Sequence, residues 1–179
     1  TLSSNFAMEA DQLISEIELA FTGVARPATS LRQFLLTDRY GMSREITNRE
    51  WEQAGRERVD SSWQDIPDSE IQECDCLLAH MQAEEFQYYL PAYMRYAVKH
   101  FDKPLWQTDI IGSVVFSLSP STKDPGGYAY MVGQLSSLNS RQRFVIVQFL
   151  NFVATEADYL QRPYAIKALE QYWSHGVGT

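Results

Sequence analysis

Residues 81–100 constrain the fold most, because apolar side chains recur there every three or four positions. This spacing places them on one face of an α-helix and predicts a buried helical stripe. Pro91 lies inside the segment. Since proline lacks a backbone N–H and crowds the carbonyl four residues earlier, we expect a kink or a break into two helices near Leu90. The stripe consists of Phe86, Tyr89, Leu90, Tyr93, Met94 and Ala97.

Helical signals recur in the rest of the chain. An amphipathic helix is predicted for residues 6–22, with Gly23 at its C-terminal end. T-N-R-E at 47–50 and N-S-R-Q at 139–142 have the pattern of capping boxes, which mark helix starts. Residues 119–127, S-P-S-T-K-D-P-G-G, are rich in turn formers and are predicted to be an exposed loop. The sum is an all-α bundle of six to eight helices.

Length and composition are those of a globular chain. Its 179 residues fit one compact domain, residues 1–179, and 45% hydrophobic residues exclude disorder. The longest nearly uncharged apolar stretch, residues 110–118, is far shorter than the roughly 20 residues that a membrane helix needs. No signal-peptide pattern opens the sequence, and Cys74 and Cys76 are too close together to link distant segments. We therefore expect a soluble, cytoplasmic protein.

The charge distribution is the most informative functional feature. A net charge of −8 has the wrong sign for binding nucleic acid. Residues 60–85 hold eight acidic residues and no lysine or arginine, so this segment alone accounts for a charge of −8. Such a surface would attract a basic protein partner. Alternatively, it is a solvated face that arginines such as Arg56 and Arg58 neutralise after folding. The candidate contact residues are Asp65, Asp68, Glu70, Glu73, Asp75 and Glu84.

Metal or catalytic chemistry is less favoured. Cys74, Cys76 and His80 are metal-ligand types, but in a helix positions 74 and 76 point about 200° apart. Cys76 and His80 share a face and supply only two of the four ligands that zinc needs. Glu84 and Glu85 are adjacent, so they do not face each other as a catalytic pair. We expect no metal, no cofactor and no catalytic residues, and an enzyme is the less favoured interpretation.

The tyrosines of residues 81–100 offer a competing interpretation. Tyr89, Tyr93 and His100 could line a pocket beside Pro91, because tyrosine combines a large apolar body with one hydrogen-bonding tip. Tyr88 and Tyr96 lie off the apolar stripe and are the better candidates for an exposed contact. The alternative function is therefore a small-molecule-binding or enzymatic helical domain.

Several runs carry a family resemblance. They are W-Q-D-I-P at 63–67, A-E-E-F-Q-Y-Y-L-P-A-Y-M at 83–94, F-S-L-S-P at 116–120, L-N-S-R-Q-R at 138–143 and F-L-N-F-V at 149–153. The chain resembles a bacterial family of small proteins known only as a domain of unknown function, with an F-x-Y-Y-L-P-A-Y core. The resemblance covers about residues 60–155. It implies an autonomous helical domain and brings no catalytic residues with it.

Taken together, these features predict a non-catalytic protein that binds another macromolecule. The narrower hypothesis is an immunity-like or antitoxin-like inhibitor, whose acidic segment covers a basic surface on a toxin or nuclease. It rests on the separation of charge along the sequence.

Overall fold

A computed structural model describes residues 2–104, 107–157 and 160–175, and within them the chain forms nine α-helices and no strand. The all-α prediction is confirmed, and the number of helices exceeds the predicted upper limit by one. The helices are α1 (Leu2–Ala20), α2 (Leu31–Tyr40), α3 (Asn48–Arg56), α4 (Asp68–Glu73), α5 (Ala83–Lys99), α6 (Ile110–Ser117), α7 (Pro125–Gln134), α8 (Ser140–Glu156) and α9 (Arg162–Gln171). Short 3-10 helices lie at Trp63–Asp65, Leu77–His80 and Trp173–His175.

The additional helix is α7, whose first turn was predicted to be loop. Pro125 occupies the first helical position, where its missing N–H costs nothing. Asp124 precedes it, and a Cβ on Gly127 would lie only 2.4 Å from Asp124 Oδ2. The glycine is therefore needed for the approach of this carboxylate, and the D-P-G-G sequence begins a helix instead of closing a turn.

The central helix is α5, which packs against α1, α4, α6 and α7. It runs without interruption through Pro91, so the expected break into two helices does not occur. Neighbouring helices surround α5, and their contacts hold it together despite the donor that proline removes. Its buried side chains lie on all sides of the helix and form much of the core.

Capping and packing fix the position of α8. The predicted box is confirmed, since Asn139 accepts the backbone N–H of Gln142 at 2.9 Å and the Gln142 side chain accepts that of Asn139 at 3.0 Å. Gln142 Nε2 also donates to the carbonyl of Ala20 at the end of α1. The α8 helix packs against both α1 and α9. The box that starts α3, formed by Thr47 and Glu50, is confirmed as well.

A helix that spans a membrane must be both long and apolar. Within residues 2–104, 107–157 and 160–175, none is both long and apolar enough to cross a bilayer.

Candidate functional site

The first acid of the 60–85 segment is bound inside the protein. Asp60 is 4% exposed and receives hydrogen bonds from Arg58 Nε and Nη2 at 3.0 Å and from the Tyr88 hydroxyl at 2.5 Å. Burial by itself would raise the pKa of the Asp60 carboxyl. The hydrogen bonds from Arg58 and Tyr88 outweigh it, so the pKa lies below its ordinary value. The Asp60 carboxylate therefore stabilises the fold and is not available to a partner.

Two of the predicted contact residues also meet cations of the same chain. Asp68 Oδ2 lies 2.9 Å from Lys99 Nζ and 3.2 Å from His100 Nε2. Glu73 Oε2 lies 2.6 Å from Arg32 Nη1 on α2. These pairs withdraw much of the negative charge that the sequence offers to a partner.

Two further acids of the segment serve as backbone caps. The Asp65 carboxylate accepts the N–H groups of Ser61 and Ser62, each at 3.0 Å, and these bonds lower the pKa of Asp65. Glu85 accepts the N–H of Gln82 at the start of α5. Both carboxylates stay near the surface, but their oxygens are partly occupied.

The remaining acids of the segment are Glu70, Asp75 and Glu84, and none of their carboxylates makes a hydrogen bond or ion pair with the described residues. Glu70 is only 6% exposed, and burial raises the pKa of its carboxyl. Asp75 and Glu84 are exposed. Of the six predicted contact residues, only these two are both exposed and unpaired.

Tyr89 and Tyr93, the predicted pocket tyrosines, are buried in the core. Their hydroxyls donate to the backbone carbonyls of Thr29 and Cys74, respectively. Burial raises the pKa of both phenols. Both tips are therefore used to hold loops against α5. The two cavities described below are lined by other residues.

The other side chains near that predicted pocket are also engaged. His100 packs against the ring of Tyr96 with centroids 4.3 Å apart. Tyr88 and Tyr96 are 0% and 1% exposed, so the prediction that they form an exposed contact is wrong. Because α5 is covered on all sides, residues off its apolar stripe are buried too, and their hydroxyls are bonded to Asp60 and Gln72.

Residues 74–76 form a turn that leads into the 3-10 helix Leu77–His80. Cys74 is buried, which raises the pKa of its thiol to about 12, and Cys76 is exposed with a left-handed backbone at φ 60°. His80 Nε2 lies 2.8 Å from Asp38. No group of three or more His, Cys, Asp or Glu side chains that could hold a metal ion occurs in the described parts of the chain.

A second acidic surface, which sequence reasoning missed, lies between α1 and α8. It is a groove of about 340 Å³, hereafter the α1/α8 groove. Its acidic residues are Glu9 and Glu16 from α1 and Glu156 from α8. Among the described residues that line it there is no lysine, arginine or histidine. The other lining residues are Gln12, Leu13, Gln148, Asn151, Phe152 and Thr155.

The three carboxylates of the α1/α8 groove are free of internal partners. Glu9 is exposed, Glu16 and Glu156 are half-buried, and none makes a hydrogen bond or ion pair within the described residues. Gln148 Oε1 is buried and accepts no hydrogen bond from the residues that the structure describes. A hydrogen-bond donor that reaches this oxygen would therefore gain free energy.

The sequence does carry a signal for the α1/α8 groove. Glu9, Gln12 and Glu16 follow each other at steps of three and four, which puts them on one face of α1. Gln148, Asn151 and Thr155 repeat in the same way on α8, a helix whose other faces are largely apolar. Either polar stripe alone is typical of a solvated face. Only the packing of α1 on α8 brings the two together.

Comparison with known proteins gives one match. The model described as "Family of unknown function (DUF6714)" matches residues 9–177. No curated protein and no solved structure matches the chain. The predicted relationship to a family of unknown function is confirmed, and the match covers the N-terminal helices as well as residues 60–155.

Proposed function

The chain belongs to DUF6714, a family of unknown function, and we propose that this member is a non-catalytic protein that binds a basic segment of another protein in the α1/α8 groove. The observation that carries the proposal is the set of three carboxylates, Glu9, Glu16 and Glu156, on one concave surface where the described residues supply no cation. Carboxylates gathered in this way repel each other, and a cation from outside relieves the repulsion.

The groove is preferred to the 60–85 segment because several acids of the segment are already neutralised by cations of the same chain. Asp60, Asp68 and Glu73 already pair with cations of the same chain. An external lysine or arginine would have to displace these contacts and would gain little. The groove carboxylates offer the full charge of three groups to a partner.

The shape and the other polar groups of the groove favour a long basic side chain. Its volume of about 340 Å³ suits one or two inserted side chains and is too small for a folded element. Leu13 and Phe152 provide apolar surface for the methylene stem of a lysine or arginine. The amides of Gln148 and Asn151 add hydrogen-bond acceptors for its charged head.

A narrower form of the proposal is an immunity-like or antitoxin-like inhibitor that acts in the bacterial cytoplasm. In that case the basic segment belongs to a toxin or nuclease, and binding covers its active surface. Charge complementarity supports this form, since proteins that cleave nucleic acids carry basic surfaces.

The experiment compares two variants of equal net charge. The groove variant is Glu9→Gln, Glu16→Gln and Glu156→Gln, and the segment variant is Glu73→Gln, Asp75→Asn and Glu84→Gln. The tagged wild type and both variants are used for affinity capture from lysate at low and high salt, with mass spectrometry of the bound proteins. Binding of the identified partner is then measured by calorimetry with purified proteins.

The proposal predicts a basic partner that the wild type and the segment variant retain at low salt and the groove variant loses. Affinity should fall about tenfold in the groove variant, because three partly exposed ion pairs of about 0.5 kcal/mol each amount to one factor of ten. If only the segment variant lost the partner, the interface would lie in residues 60–85 and not in the groove. A partner bound equally by all three proteins would contradict charge-based binding.

A further inference from the structure

We propose that a pocket between α6 and α9, distinct from the α1/α8 groove, binds a small organic cation whose head is an alkylated ammonium group. The pocket has a volume of about 250 Å³ and lies where α6 meets the first turn of α9. Ligand pockets of drug size span roughly 300–1,000 Å³, so this cavity suits a smaller molecule.

Two exposed aromatic rings form the walls of the pocket. Phe116 of α6 is 70% exposed and Tyr164 of α9 is 64% exposed, and both line the same cavity. Val115 adds apolar surface and is buried. Covering exposed aromatic side chains with a ligand removes apolar surface from water, which favours binding. The faces of such rings also attract cations.

The polar end of the pocket is negative. Asp109 Oδ1 accepts a hydrogen bond from Gln161 Nε2 at 2.9 Å, and Gln161 is 7% exposed. This bond orients the carboxylate, while Asp109 makes no ion pair with the described residues. The part of the lining that the structure describes contains no lysine, arginine or histidine. The charge of Asp109 is thus available to a ligand.

Gly112 allows this polar end to lie directly on α6. A Cβ at position 112 would be 2.4 Å from Asp109 Oδ1 and 3.0 Å from Gln161 Nε2. A side chain at position 112 would require the Asp109 carboxylate to shift. The glycine therefore lets the carboxylate and the Gln161 amide lie close to the backbone of α6 in this pocket.

The combination of walls and charge selects the ligand class. An anion is repelled by Asp109, and a neutral apolar ligand would desolvate the carboxylate without compensating it. An alkylated ammonium group satisfies both features, since its methyl groups contact the rings and its charge faces the carboxylate. The group can belong to a free metabolite or to a methylated lysine of a protein.

The test uses the full chain and two probes of matched shape. Choline carries the cation, and 3,3-dimethyl-1-butanol replaces its nitrogen by carbon. Binding is measured by calorimetry for the wild type, for Phe116→Ala and Asp109→Asn in the pocket, and for Phe144→Ala and Asp102→Asn as controls. All four positions are exposed, so the variants should fold. A peptide with trimethyllysine provides the protein-borne form of the group.

We expect choline to bind and its neutral isostere to bind much more weakly. Phe116→Ala should weaken choline binding by roughly 2- to 30-fold, the range that one cation–π contact provides. Asp109→Asn should weaken it by up to about fivefold, because an exposed ion pair contributes up to about 1 kcal/mol. The controls should leave it unchanged. Tighter binding of the peptide than of choline supports a protein-borne group, and the reverse supports a metabolite. The proposal would be overturned if neither choline nor the trimethyllysine peptide bound. It would also be overturned if the neutral isostere bound as tightly as choline, or if the control variants weakened choline binding as much as the pocket variants.

Discussion

Glu70 shows how one side chain can reduce the stability of a fold. Its carboxylate is almost buried, at 6% exposure, and lacks a hydrogen bond or ion pair with the described residues. Burial therefore raises its pKa in the folded chain. From the sequence it is one of eight equivalent acids, because spacing along the chain does not show which carboxylates packing will cover.

Replacing Glu70 by Gln should stabilise the protein at neutral pH. Between its unfolded pKa of about 4.3 and its raised folded pKa, the folded state holds a proton that the unfolded state has lost. Stability of the wild type therefore falls as pH rises through this window, and Glu70→Gln should remove that fall. Urea unfolding at several pH values measures it. Glu84→Gln, at an exposed position, should change stability by less than about 0.5 kcal/mol.

Asp60 predicts the opposite dependence on pH. Its folded pKa is lowered, so the stability that it contributes is present above its unfolded pKa of about 3.9 and is lost as pH falls through the folded pKa. Asp60→Asn leaves the buried Arg58 guanidinium without its counter-charge and should cost about 3 kcal/mol at pH 7. Chemical unfolding at pH 7 and at pH 3 tests this, and an equal loss at both values would contradict it.

At the scale of elements, the predictable parts are those set by local sequence. The capping boxes at Thr47 and Asn139 begin α3 and α8 as predicted, because both partners lie within four residues. The first turn of α7 lies in the segment that the sequence predicts as a loop, because D-P-G-G is typical both of a turn and of a helix start. Burial of Tyr88 and Tyr96 was missed because it depends on the neighbours of α5, which periodicity does not reveal.

The cap of α8 offers a prediction at this scale, since α8 forms one side of the α1/α8 groove. Asn139→Ala removes the acceptor for the Gln142 N–H and should lower the free energy of unfolding by about 1 kcal/mol. Asn139→Asp keeps an acceptor there and should retain most of the stability. Thermal and urea unfolding of both variants test the cap. If both variants lost the same free energy of unfolding, the loss would not come from the missing cap.

At the scale of the whole molecule, the net charge of −8 is unevenly compensated. Arg32 on α2 and Lys99 on α5 come from distant parts of the sequence to pair with the 60–85 segment. The sequence shows the excess of acids but not which ones meet these cations. For that reason it pointed to residues 60–85, whereas the structure leaves unpaired carboxylates together in the α1/α8 groove.

An unpaired acidic groove should make the free protein less stable. The groove variant, Glu9→Gln, Glu16→Gln and Glu156→Gln, should unfold at higher urea concentration than the wild type at low salt, because mutual repulsion is removed. The difference should shrink toward 1 M salt, where the screening length falls to about 3 Å. A variant that is less stable than the wild type at every salt concentration would indicate that these side chains have structural partners.

The central claim is that the α1/α8 groove binds a basic partner, and calorimetry on the captured partner tests it most directly. The dissociation constants for the wild type, the groove variant and the segment variant are compared at low salt. The account predicts about tenfold weaker binding for the groove variant and little change for the segment variant. Unchanged affinity in the groove variant would contradict it.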